Sequence, residues 1–258
     1  MASVEVIVHP DPESLAASVA ARLITRIVDA QAATGTAGVV LTGGGMGQKS
    51  QQAVVSNPAS RAVDWRNVDF YWGDERFLPA GDPDRNETQA RAAMLDVLPV
   101  DANRVHAMPA SDGAWGDDAA AAAAGHAAEL AGIAETQNRT TPRFDVLMLG
   151  VGPDSHVASL FPGHAETRVT DRLVVPVHDS PKPPPNRISF TFPLICSAAE
   201  VWLVAAGAEK ADALAEALAQ SADPVHHPAS GAVGEQRTLA LIDSEAAGQL
   251  PAELRRRS

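Results

Sequence analysis

One stretch narrows the possible folds more than any other: FDVLMLGVGPDSHVASLFPG, residues 144–163. Positions 144–149 are almost wholly apolar, long enough for a strand buried on both faces and too short for a helix of their own. Gly150 and Gly152 break the run, and Pro153 with Asp154 suits a turn that opens into a helix start. The pattern predicts strand, loop and helix, with His156 near the first helical turn at the carboxyl end of a central strand. Open α/β sheets place their sites there.

The same alternation runs along the chain. Strands are predicted over 4–8, 37–41, 68–72, 173–177, 187–192, 201–206 and 238–242, and helices over 12–33, 88–98, the alanine-rich run from 119, and 208–219. Strands alternating with helices of ten or more residues predict an α/β fold: a doubly wound, mostly parallel sheet with helices on both faces, Rossmann-like. No internal repeat or linker interrupts residues 1–258, so a single domain is expected, with a frayed arginine tail at 255–257.

At 258 residues the chain can bury a core without disulfide or metal support. Its one cysteine, Cys196, cannot form an intramolecular disulfide and reads as a small buried hydrophobe. No apolar run approaches the ~18 residues of a membrane span, and the N-terminus lacks a basic region followed by an apolar one. A soluble cytoplasmic protein without a membrane partner is expected. A net charge of −12 argues against a nucleic-acid backbone as partner, while an anionic small substrate fits if a few cations converge locally. His226 and His227 are adjacent and no cysteine cluster exists, so no metal is expected.

Four loops at strand ends carry the polar content. In TGGGMG, residues 42–47, Gly43, Gly44 and Gly45 let backbone amides approach an anion at a helix N-terminus. A P-loop reading fails because Gln48, not glycine, precedes Lys49; a plain strand-to-helix turn is the alternative. In GDER, residues 73–76, Asp74 and Glu75 beside Arg76 read as a structural ion-pair network, or Arg76 grips a phosphate or sugar oxygen. Asn86 is either a hydroxyl-reading amide or a helix cap. GVGPDSH, residues 150–156, also resembles a dinucleotide fingerprint, although Ser155 and Pro153 oppose the close helix approach that fingerprint needs. His156 beside Asp154 reads better as a general base. In SPKPPPNR, residues 180–187, prolines stiffen a loop presenting Lys182 and Arg187, and Lys210 is a further candidate anion ligand.

Taken in order, LTGGG (41–45), GDER (73–76), LGVGPDSHVASLFPG (149–163), SPKPPPNRISFT (180–191) and GAEKADAL (207–214) resemble the 6-phosphogluconolactonase family. Ser155 stands where members of that family generally carry glycine. The resemblance implies a single-domain enzyme without cofactor, similar in fold to glucosamine-6-phosphate deaminases and sugar-phosphate isomerases. It implies hydrolysis of 6-phospho-D-glucono-1,5-lactone to 6-phospho-D-gluconate, the second step of the oxidative pentose phosphate pathway. His156 would be the base, Asp154 would orient it, and Arg76 or Arg187 would meet the oxyanion. Thr42, Gly43, Gly44 and Lys210 would hold the phosphate with Lys182 assisting, and Gly45, Asp74 and Asn86 would complete the binding set. An isomerase or deaminase on this fold would be expected to carry an asparagine–glutamate pair where this chain has Leu160 and Phe161. A non-catalytic sugar-phosphate sensor would not require His156. The oligomeric state is open, with a monomer favoured.

Overall fold

The computed structural model describes residues 4–255. Of the frayed tail expected at 255–257, positions 256 and 257 lie outside the described residues, while Arg255 donates from Nε to the Leu250 carbonyl at 2.6 Å. In chain order the main elements are β1 (Val4–His9), α1 (Pro12–Thr34), β2 (Ala37–Leu41), α2 (Gly44–Ser56), β3 (Val68–Trp72), β4 (Asp74–Arg76) and α3 (Asn86–Ala90). There follow α4 (Ala119–Thr136), β5 (Val146–Gly150), β6 (Val174–Val177), β7 (Arg187–Phe190), α5 (Phe192–Ile195), β8 (Glu200–Ala205), α6 (Ala211–Ala217) and β9 (Arg237–Asp243).

Six strands form a parallel sheet in the order β1-β9-β8-β5-β2-β3. The chain moves outward from β2 to β3 and then returns to β5 on the other side of β2. Strand order therefore reverses between β2 and β5, and a crevice opens at their carboxyl ends. The apolar run of β5 is read out by pleat: Leu147 and Leu149 enter one core, Val146 and Met148 the other. One core is closed by α1, whose Leu15, Val19, Leu23 and Ile27 repeat at helical spacing and are buried. The other is closed by the small residues of α4, among them Ala119, Ala122 and Ala123. Asp11 caps α1 by accepting from the Ser14 amide at 2.7 Å, Pro12 opens it, and Gly35 ends it in the left-handed region with φ 82°.

Three features depart from the expected elements. GDER does not end in a loop: Asp74–Arg76 pairs antiparallel with β7, which pairs with β6, giving a second, three-stranded sheet in the order β4-β7-β6. The predicted strands at 173–177 and 187–192 exist, shortened, but belong to this smaller sheet. The helix expected over 88–98 begins at Asn86 and passes into a π-helical turn, Arg91–Leu95. It starts early because the Glu75 carboxylate accepts from the amides of Asn86 (2.7 Å) and Glu87 (2.9 Å), capping it from a distant strand.

The third departure concerns the segment after β5, where no helix forms among residues 151–164. A run of tight turns replaces it, with Ser155 at φ 64° and Ala158 at φ 50°. Ser155, Val157, Ser159, Leu160 and Phe161 are all buried, so the segment sinks side chains on every side. A surface helix would have to leave one face in water. His156 therefore sits on a turn and receives no helix dipole.

Candidate active site

The carboxyl ends of β2, β3 and β5 bring three of the four polar loops together, and β7 brings the fourth. Thr42, Gly43, Gly44, Asp74, Arg76, Asn86, Gly152, His156, Lys182, Arg187 and Lys210 line one cleft of about 310 Å³. An adjoining hollow of about 430 Å³ shares Thr42, Gly43, Gly44 and Lys210 and adds Gly45. Openings of this size suit a small molecule.

One end of the cleft is an anion cradle. The helix α2 starts at Gly44, so the amides of its first turn lack intrahelical acceptors and carry the positive end of the helix dipole. The Thr42 hydroxyl oxygen accepts from the Gly150 amide at 2.9 Å, which ties β2 to β5 and leaves the hydroxyl proton free to donate. Lys210 stands at the start of α6 and lines both hollows. Burial, together with the charge of Lys182, holds its ammonium below the usual lysine range.

The other end is a histidine–carboxylate pair. His156 Nδ1 lies 2.5 Å from Asp154 Oδ1 and 3.4 Å from Lys182 Nζ. A carboxylate only accepts, so Nδ1 carries the proton and donates it to Asp154, leaving the Nε2 lone pair available. Lys182 pairs with Asp154 instead, at 3.6 Å. Burial raises the Asp154 proton affinity, but the hydrogen bond from His156 and the nearby charge of Lys182 outweigh it and hold the carboxyl well below the usual range. The Phe161 ring packs 4.7 Å from the imidazole, centroid to centroid.

Beside the cradle, Arg76 donates from Nη1 to Asn86 Oδ1 at 2.6 Å and to the Asp84 carbonyl at 3.0 Å. Asn86 in turn donates to the Asp74 carbonyl at 2.8 Å and abuts Gly43 so closely that a Cβ there would meet its amide. Arg187 is buried and spends its fork on the proline loop, donating to the carbonyls of Lys182 (3.0 Å), Pro183 (3.1 Å) and Pro184 (3.3 Å). Every candidate catalytic or binding residue thus lies in or beside the cleft, with Lys182 at the imidazole and Lys210 at the cradle.

One participant, Ser159, was not singled out, and Glu75, read with Asp74 and Arg76 as a structural ion-pair network, turns away from the cleft. Ser159, fully buried, donates from Oγ to Asp74 Oδ2 at 2.6 Å. Glu75 is 1 % exposed and faces away into three backbone amides, those of Arg76, Asn86 and Glu87. Burial pushes its carboxyl up to about 7, against the pull of Arg85 and those amides. The neighbouring SLFPG motif could have pointed to Ser159, since a serine inside an apolar run needs a partner. Among the described residues, no three His, Cys, Asp or Glu side chains gather as a metal-ligand set.

An anion cradle and a histidine–carboxylate pair facing one cleft, at the switch point of a doubly wound sheet, define an α/β enzyme site for a small anionic substrate. The chain belongs to the family of glucosamine-6-phosphate isomerases and 6-phosphogluconolactonases, whose profile matches residues 10–241. It is 57% identical over 251 residues to a 6-phosphogluconolactonase of Streptomyces coelicolor, covering 97% of this chain and 96% of that one. It is 45% identical to the 6-phosphogluconolactonase of Mycobacterium tuberculosis, covering 95% and 97%. Among solved structures, the 6-phosphogluconolactonase of Trypanosoma brucei superposes with a TM-score of 0.83 at 26% identity, covering 97% of this chain and 100% of that one. A monomeric glucosamine-6-phosphate deaminase shares the fold, with a TM-score of 0.78 at 19% identity, covering 95% and 100%.

Proposed function

We propose that this chain hydrolyses 6-phospho-D-glucono-1,5-lactone to 6-phospho-D-gluconate in the pentose phosphate pathway, with His156 as general base. The observation that carries the reading is the His156–Asp154 pair opening onto the cleft that also holds the glycine cradle, with Nδ1 directed to Asp154 and Nε2 the nitrogen left over. The phosphate binds the first-turn amides of α2, the Thr42 hydroxyl and Lys210. That anchoring places C1 of the lactone toward His156. Nε2 takes a proton from water as its oxygen attacks C1, Arg76 meets the negative charge on the former carbonyl oxygen, and Asp154 stabilises the imidazolium. The C1–ring oxygen bond then breaks, and the imidazolium returns its proton to the departing ring oxygen.

Leu160 and Phe161 support hydrolysis over isomerisation, because both are apolar and buried where the isomerising relatives were expected to carry an asparagine–glutamate pair. The reading includes a single domain over residues 1–258, a cytoplasmic location, a monomer, and no metal or cofactor. No helix among the described residues is long and apolar enough to cross a membrane. The test is direct assay of the purified protein with the lactone and with glucosamine 6-phosphate. Acid release from the lactone alone is the expected outcome; turnover of the amino sugar, or binding of both without turnover, would contradict the proposal.

A further inference from the structure

We propose that Ser159, Asp74 and Arg187 form a positioning chain that fixes Lys182 against the His156–Asp154 pair, and that the Lys182 ammonium keeps the imidazole unprotonated to lower pH. The inference rests on the reading of His156 as the base.

The geometry forms a closed circuit. Ser159 donates to Asp74 Oδ2 at 2.6 Å, and the same oxygen lies 3.8 Å from Arg187 Nη1. The other guanidinium nitrogens of Arg187 gather three successive carbonyls, at Lys182, Pro183 and Pro184. Lys182 then reaches back with Nζ to Asp154 and His156, three to five residues before Ser159 on the same turn. Both ends of the circuit are thus fastened to one segment, and the loop between them is wrapped around a buried cation.

A guanidinium with its side chain only 6% exposed needs an opposite charge to stay there, and Asp74 supplies it. Burial lowers the Arg187 proton affinity and Arg76 adds to that, while Asp74 opposes both. Ser159 in turn holds the Asp74 carboxylate in the orientation that faces Arg187. If the hydroxyl is removed, Asp74 can rotate and Arg187 loses its counter-charge. The backbone of Lys182 then loses its anchor. None of these three side chains lies within hydrogen-bond reach of the imidazole, so they act through Lys182.

The charged groups facing His156 are Asp154 on its own turn, Lys182 on the proline loop, Asp74 and Arg76 on β4, Arg187 on β7 and Lys210 at α6. Of these, only Asp154 and Lys182 touch the ring. The Lys182 ammonium, 3.4 Å from Nδ1 and 37% exposed, opposes a second positive charge on the ring.

The test is the pH dependence of kcat/KM in Ser159→Ala, Lys182→Ala and the double variant, each normalised to folded protein by its thermal transition. Serine carries no charge, so any shift in Ser159→Ala is indirect. The expected result is an acidic limb displaced to higher pH in Lys182→Ala and by part of that displacement in Ser159→Ala. KM should stay within about twofold, and the double variant should match Lys182→Ala alone. Arg187→Lys keeps the charge but loses the fork, and it should show the same dependence on Lys182; this second variant decides the matter if Ser159→Ala does not fold. A wild-type limb in both Ser159→Ala and Arg187→Lys would overturn the proposal, as would a displacement that persists unchanged when Lys182 is already alanine. Full activity of His156→Ala would instead overturn the reading of the base, so the two failures are distinguishable.

Discussion

Gly152 gives the sharpest perturbation of the histidine–carboxylate pair that leaves both its residues in place. A Cβ built at this position would stand 2.5 Å from Asp154 Oδ1 and closer still to His156 Nδ1 and Cε1. Nonbonded heavy atoms settle at about 3.5 Å or more. Gly152→Ala therefore displaces the pair by roughly 1 Å, by moving the ends of two side chains rather than packed backbone. A misplacement of about 1 Å can cost on the order of 100-fold in rate. Gly152 does not have a positive φ, so alanine adds no left-handed strain and stability should change little. The assay is kcat for lactone hydrolysis beside the thermal midpoint. About a hundredfold loss in kcat with KM near wild type and a midpoint within a few degrees is expected. Retention of more than half the wild-type kcat, or a loss explained entirely by unfolding, would refute the reasoning.

Three other outcomes follow from the same geometry. Gly44→Val should raise KM and weaken competition by inorganic phosphate, because Gly44 lines both hollows and a side chain there would add bulk at the cradle; at φ 75° it also strains the backbone, so KM must be read on the folded fraction. Activity should survive exhaustive treatment with EDTA, since no set of ligand side chains gathers among the described residues; loss restored by a divalent ion would contradict this. The contribution of the His106–Glu129 cluster to the thermal midpoint should be greatest near pH 5 to 6 and fall on both sides. Burial disfavours the charged form of His106, but hydrogen bonds to Asp69 and Glu129 win and push it from 6.5 up to about 9, so its contribution is full below 6.5 and lost as pH rises through about 9. The hydrogen bonds from His106 and His126 pull Glu129 from 4.5 down to about 2, so its contribution is lost as pH falls below 4.5 toward 2. His106→Gln should flatten the alkaline side, and an unchanged alkaline fall would count against this cluster.

The strands β2 and β3 begin and end where the sequence places them, because a mostly apolar five-residue run flanked by glycine or polar residues has little other use in a parallel sheet. The convergence of the polar loops was legible for the same reason: loops after parallel strands share one edge of the sheet. The second sheet was hidden because β4 is three residues long and carries Asp74, Glu75 and Arg76, a composition that reads as loop. The turn around His156 was hidden by its own spacing. Val157, Leu160 and Phe161 recur at helical intervals, yet left-handed backbone at Ser155 and Ala158 breaks the helix, and neither residue is the glycine that would have announced it. The cost of such a residue is on the order of 1 kcal/mol, which the burial of the segment sustains. Which lysine stands at which end depends on where the proline loop folds, and contacts that no motif announces, among them Arg187 with its three carbonyl partners and Ser180 with Lys182, hold that loop.

The account depends most on His156 as the base. The decisive measurement is kcat of folded His156→Ala at mildly acidic to neutral pH, where the lactone opens slowly on its own. Because the phosphate is anchored at the cradle, kcat should fall by about two to four orders of magnitude with KM nearly unchanged, and the wild-type rate should rise with pH as the imidazole loses its proton. A folded His156→Ala that keeps more than about a tenth of wild-type kcat, less than the weakest loss expected of a general base, would contradict the mechanism.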